Sequence, residues 1–156
     1  GTAADPYRIA TAETLVYAAE QMNADTDQTS YAAAHYVLTD DIDMQGVTYA
    51  PIDKFTGSFD GQDHTIRNLK IEDEKTGSIG DYQIAFIRKN GGTISNLHFE
   101  KAFISSAASD QTPYAAVAVV AGENLKGAVI SRCCHGQRGQ CPRCAQGSRN
   151  CGHERT

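Results

Sequence analysis

All five cysteines of the 156-residue chain, Cys133, Cys134, Cys141, Cys144 and Cys151, lie in its last 25 residues. Cys141-Pro142-Arg143-Cys144 is a CxxC, flanked by Cys134 and His135 upstream and by Cys151 and His153 downstream. Thiolates at this spacing can hold tetrahedral zinc, so Cys134, Cys141, Cys144 and Cys151 are candidate ligands and zinc is a candidate cofactor. There is no second matched pair, and the segment lacks the apolar residues that accompany a zinc knuckle. Disulfides are the alternative, although an odd number leaves one thiol over.

Acidic residues form the other candidate groups. Asp40, Asp41 and Asp43, with Asp60 and Asp63, could offer oxygen ligands to calcium, but their spacing does not match an EF-hand loop. Asp60, Asp63, Arg67 and Lys70 could serve a polysaccharide-active site, in which clustered carboxylates and a cation share one face. His35, His64 and His98 have no Ser or Cys at nucleophile spacing in the body, which leaves a hydrolytic triad without support. Tyr7, Tyr17, Tyr31, Tyr36, Tyr49, Tyr82 and Tyr114 could stack on sugar rings, but aromatic residues this dispersed more simply form core edges and cap contacts. Solvated turn and strand acids are the plainer reading of the aspartates.

The scaffold must be built from short elements. The chain is 40% hydrophobic, has 14 glycines and no tryptophan, and carries a net charge of -5. Nucleic-acid binding is excluded, because phosphates require a concentrated basic face. No stretch approaches a membrane span, and Gly1 to Asp5 lacks a basic and apolar leader, as expected of a cytosolic chain or a trimmed one. Charge divides sharply: residues 1–131 hold 9 Lys and Arg against 18 Asp and Glu, whereas residues 132–156 hold 5 Arg against one Glu. After Cys134 there is no Val, Leu, Ile, Phe, Tyr or Met, so this tail cannot build its own core.

Thr11 to Asn23 predicts the one amphipathic helix, with Leu15, Ala18, Ala19 and Met22 on one face. Thr14 stands where a full capping box would have an acid. Tyr36 to Thr39 and Asp40 to Met44 alternate as half-buried strands. Three later segments share a β-branched, Ile, polar, polar, apolar pattern when Ile66, Ile94 and Ile130 are aligned, giving steps of 28 and 36 residues. Ile and the following Leu or Cys are three apart, so a corner must intervene. Asn68 and Asn96 suit it, because Asn tolerates the left-handed backbone region. A strand, a corner and a strand, repeated, predict a mainly β protein: a right-handed parallel β-helix, or β-solenoid, with an N-terminal capping α-helix.

Phe55-Thr56-Gly57-Ser58-Phe59-Asp60-Gly61-Gln62-Asp63-His64-Thr65-Ile66-Arg67-Asn68-Leu69 resembles the signature that opens GLUG-type repeat regions of bacterial surface proteins. Tyr36 to Met44 and Ala50 to Ile52 are similar to the lead-in before such repeats. Two imperfect units follow, from Ala85 through Leu97 and from Val119 through Cys133. The resemblance implies a β-helix in an exported, adhesin-like bacterial protein, without shared catalytic residues. Residues 1–50 then form the cap and first strands, 51–133 the solenoid repeats, and 134–156 the Cys- and Arg-rich tail. That tail has the composition of a GC-rich gene read in a shifted frame, which would truncate a longer β-helix near residue 133. The expected function is structural or adhesive, at the cell surface or outside the cell, with a host or cell-surface protein or a glycan as partner. Self-association through an exposed last coil is also expected.

Overall fold

The computed structural model describes residues 1–73, 83–106 and 116–136. These residues are mainly β with one helix. The strands are β1 (Tyr7–Ile9), β2 (His35–Leu38), β3 (Ile42–Asp43), β4 (Ile52–Phe55), β5 (Ser58–Asp60), β6 (Thr65–Arg67), β7 (Lys70–Asp73), β8 (Gln83–Ile84), β9 (Ile87–Asn90), β10 (Thr93–Ser95), β11 (His98–Glu100), β12 (Phe103–Ser106), β13 (Ala116–Val117), β14 (Ala121–Asn124), β15 (Val129–Ser131) and β16 (Cys134–His135). Helix α1 runs from Ala12 to Ala24.

Each described ladder is parallel, and from β2 onward consecutive strands enter different sheets. The longest sheets run β1-β2-β5-β10-β15, β16-β11-β6-β3 and β14-β9-β4. The chain therefore passes from sheet to sheet and returns one strand spacing further along, a β-helix-like arrangement. Parallel strands cannot be joined by tight hairpins, and here the long return is the rest of the coil itself.

Left-handed corners make this path possible. Asp63, Asn96 and Arg132 have φ of 62°, 51° and 54° between the first two long sheets, and Asn68 and Lys101 have φ of 55° and 53° at the next bend. The corners expected at Asn68 and Asn96 are thus present, but they are different corners of the coil. Ile94 pairs with Ile130 as the repeat predicts. It pairs on its other side with Phe59, not Ile66. Ile66 pairs with Phe99 and Ile42. The expected 28-residue step is therefore replaced by one of 35, from Phe59 to Ile94. An Ile, a polar residue, Asn and Leu encode one strand-corner-strand bend, and the chain uses that solution at two successive bends.

Glycine is required where coils touch. A β-carbon on Gly92 would strike the Gly57 carbonyl, and one on Gly57 would strike that of Ala34. The interior is a file of fully buried side chains that includes Leu38, Ile42, Phe55, Phe59, Ile66, Phe86, Ile94 and Phe99. Tyr36 stacks on Phe59, while Phe86 meets both Phe59 and Phe99 edge to face.

Helix α1 packs its apolar face into the core beside β4. Ala12, Leu15, Ala18, Ala19 and Met22 are buried, and burial of a side chain such as Leu15 contributes about 2 kcal/mol. The capping box is complete even without an acid: the Thr14 N–H donates to Thr11 Oγ1 at 3.2 Å, and Thr14 Oγ1 accepts from the Thr11 N–H at 3.0 Å. A hydroxyl reaches back as a carboxylate would. At the far end of the helix, the Asn23 side chain accepts from the Asp53 N–H at 2.8 Å and donates to the Pro51 carbonyl at 3.0 Å. It thereby imitates a strand along the edge of β4 and blocks further pairing there. The strand expected over Asp40 to Met44 shrinks to Ile42–Asp43, because the preceding Asp41 is drawn into side-chain bonds with the next coil.

Candidate functional site

The outer face of the β3-β6-β11 sheet holds the densest group of ionisable side chains. Ile42, Ile66 and Phe99 share one register position and point inward. Asp43, Arg67 and Glu100 follow at the next position, pointing outward. Arg67 bridges two coils: its Nη2 lies 2.8 Å from Asp41 Oδ2, and its Nε lies 3.2 Å from Glu100 Oε2. Glu100, followed by Asp41, holds the guanidinium above its ordinary value. Asp41 also accepts from the Thr65 N–H at 2.8 Å, and His64 Nδ1 stands 3.4 Å away. His98 Nε2 lies 3.6 Å from Asp63 Oδ1.

The corners carry a second pattern. Asn68 Nδ2 donates to Asp43 Oδ1, and Asn96 Nδ2 donates to Asp60 Oδ1, each at 2.8 Å. Both aspartates also accept the backbone N–H two residues on, from Gln45 and Gln62 respectively, at 3.0 Å. Asn68, then Gln45, holds the Asp43 carboxyl below the usual carboxylate range. These acids are turn formers whose remaining lone pairs take up an amide from the following coil.

The calcium candidates are therefore dispersed among separate partners, and no three His, Cys, Asp or Glu side chains among the described residues converge to hold a metal ion. The polysaccharide candidates are likewise divided: Asp60 serves Asn96, Asp63 faces His98, Arg67 lies between Asp41 and Glu100, and Lys70 Nζ pairs with Glu72 at 2.8 Å. A general acid needs a carboxyl held above its ordinary pKa. The shifts resolved among the described carboxyls, at Glu13, Asp25 and Asp43, are all downward.

Tyr36 and Tyr49 belong to the core, and burial raises the phenol pKa of each. Tyr7 and Tyr31 stack with centroids 5.9 Å apart at the exposed N-terminal edge, while Tyr17 is exposed on the helix. Tyr82 and Tyr114 lie outside the described residues, as do Cys141, Cys144 and Cys151. Cys133 is buried, with its Sγ 3.4 Å from the Ser131 carbonyl. Cys134 is disulfide-bonded. In that state it has no thiolate for a metal, so zinc at Cys134 would require prior reduction.

Two features escape a reading of the sequence. Glu100 becomes a partner of Arg67 only through the 33-residue register between β6 and β11. Asn90, fully buried, donates from Nδ2 to Asn124 Oδ1 at 2.7 Å and accepts the Gly92 N–H at 3.1 Å. The signal available for the second is the 34-residue spacing of Asn90 and Asn124, close to one coil.

No family model matches the chain. It is 31% identical over 133 residues to halomucin of Haloquadratum walsbyi, an alignment that covers 80% of this chain and 1% of that protein. Among solved structures, it is similar to a chain described as a "putative immunoglobulin A1 protease from Bacteroides ovatus", with a TM-score of 0.52 and 28% identity over 69% of this chain and 30% of the other. The chain thus corresponds to a small part of each of these longer proteins.

Proposed function

We propose that the chain is a non-catalytic structural or adhesive segment, a right-handed β-solenoid of the GLUG-resembling kind, in a bacterial protein displayed outside the cell or on its surface. The observation that carries this reading is the Asp41-Arg67-Glu100 bridge. Ionisable groups that could have formed a reactive cluster instead join successive coils, which stiffens the rod. The right hand is the one that crossovers between parallel strands adopt almost without exception. Similarity to halomucin and to the Bacteroides ovatus protein supports an extracellular setting. The protease activity in the latter's description belongs to a chain of which this one matches under a third.

The natural partner of such a rod is a glycan or a cell-surface protein. The test is to incubate the full chain with polygalacturonate and with mucin-type glycans, measuring retention and release of reducing ends separately. Retention without release is the expected result. Release of reducing ends that disappears in Asp63→Asn would replace this reading with the polysaccharide-active one.

A further inference from the structure

The aromatic column of the core runs out to solvent beside the first strand. Phe59, Tyr36 and Tyr7 follow one another in register on β5, β2 and β1. Tyr36 stacks on Phe59, Tyr7 tilts against Tyr36 with centroids 5.3 Å apart, and Tyr31 stacks on Tyr7 at 5.9 Å with 21° between the planes. Phe59 and Tyr36 are buried, whereas Tyr7 is 41% exposed and Tyr31 36%.

Both outer rings are nevertheless held in place. Asp25 Oδ2 grips the backbone on either side of Tyr31, accepting from the Ser30 N–H and from the Ala32 N–H, each at 2.9 Å. The Tyr31 carbonyl accepts from Tyr36 Oη at 2.8 Å and from the Ala34 N–H at 3.3 Å. Tyr7 is fixed by its strand, and Gly1 passes so close that a β-carbon there would strike the Tyr7 ring. The Gly1 carbonyl in turn accepts from the His35 N–H at 3.0 Å. Rings fixed in this way spare a ligand the cost of ordering them.

We infer that Tyr7 and Tyr31 form a stacking site for an uncharged pyranose ring, an inference that rests on the reading above of a glycan as partner. The C–H groups on one face of such a ring carry partial positive charge and meet the electron-rich face of a phenol. The phenol hydroxyls and the polar run from Asp25 to Ser30 supply donors and acceptors for sugar hydroxyls. Size favours a sugar over a protein, because two half-exposed rings fall far short of the roughly 800 Å² per partner that a stable protein interface buries. Charge favours an uncharged sugar: residues 25–34 hold two aspartates and no Lys or Arg, and Arg8 alternates to the other face of β1, in register with Val37. A nucleobase would bring its phosphates to the same acidic surface.

The test is to titrate the full chain with cellohexaose and mannohexaose, and with hexagalacturonate as the charged counterpart, while following the NMR signals of the tyrosine rings. A neutral hexaose should move the Tyr7 and Tyr31 signals and leave Tyr17, exposed on the helix and without a ring contact to either, where it is. Tyr31→Ala should weaken binding about tenfold, as loss of one stacked ring implies, and Tyr31→Phe, which keeps the ring, should weaken it less. Titration of the native chain checks the same site should Tyr31→Ala not fold. Unmoved Tyr7 and Tyr31 signals with both neutral hexaoses, tighter binding of hexagalacturonate, or an equal loss in Tyr17→Ala would each overturn the proposal. Retention on mucin-type glycans that survives Tyr31→Ala would overturn the site and leave the glycan reading standing. Shifts at Tyr7 and Tyr31 accompanied by release of reducing ends would support the site and overturn the non-catalytic reading.

Discussion

Asn96 donates its side-chain amide to Asp60, 2.8 Å away and one coil back, from a backbone held at φ 51°. The same side chain both permits the corner and fastens it to its neighbour. Asn68 and Asp43 repeat the relationship one bend further on.

Asn96→Ala is expected to cost about 2 kcal/mol, roughly half from losing the tolerance of the left-handed region that the asparagine side chain confers and half from the lost hydrogen bond. Asn96→Gly should recover the backbone part and leave a loss of about 1 kcal/mol. Urea denaturation of the two variants separates the contributions. Equal losses would show that the corner conformation does not matter.

Arg132 occupies the corresponding corner of the last coil with φ 54°, a conformation for which Asn is better suited. Its register also places it beyond Asn96, whose buried Oδ1 has no hydrogen-bond partner among the described residues. Arg132→Asn should therefore stabilise the protein by about 1 kcal/mol, visible as a raised melting temperature.

Gly92→Ala would drive a methyl group into the Gly57 carbonyl, an overpacking that backbone on both sides can relieve only by moving the coils apart. A loss of about 3 kcal/mol is expected. Gly46→Ala, with open space around its β-carbon position but φ of 74°, should cost about 1 kcal/mol. Thermal melts of both distinguish steric from purely conformational cost.

Alkali should destabilise the protein through its buried phenols. Burial raises the phenol pKa of Tyr36 and of Tyr49 above the unfolded value of 10.0. Above that pH the unfolded chain releases these protons and the folded chain keeps them, so the stability they contribute is complete below the unfolded value and declines as pH rises beyond it. Tyr49→Phe should cost about 1 kcal/mol at neutral pH through the lost bond to the Phe86 carbonyl. It should also make the alkaline decline shallower, which a series of melts from about pH 8 to about pH 12 would show.

The corners are legible in the sequence because left-handed chemistry is local: Asn68 and Asn96 announce a bend whatever surrounds them. Register is not, because the same Ile-polar-Asn-Leu solution serves two consecutive bends and mimics a repeat. Phe59, the true partner of Ile94, is hidden in a segment whose glycines point to its turns. The acids near the first coil read as candidate ligands for the same reason. Asp43 and Asp60 find their amides, and Asp41 its guanidinium, only once the coil length brings distant residues together. The helix is visible from its apolar stripe, while its hydroxyl capping box depends on a side-chain rotamer that no pattern of residue types reveals.

Register underlies the Asn–Asp corners and the Arg67 bridge, so it is the claim to test most directly. The decisive measurement is the set of backbone NOEs from β10 in the isotopically labelled protein. The account predicts cross-strand contacts from Thr93–Ser95 to Ser58–Asp60 on one side and to Val129–Ser131 on the other. Contacts from Thr93–Ser95 to Thr65–Arg67 instead would restore the 28-residue repeat from Ile66 to Ile94 and contradict it.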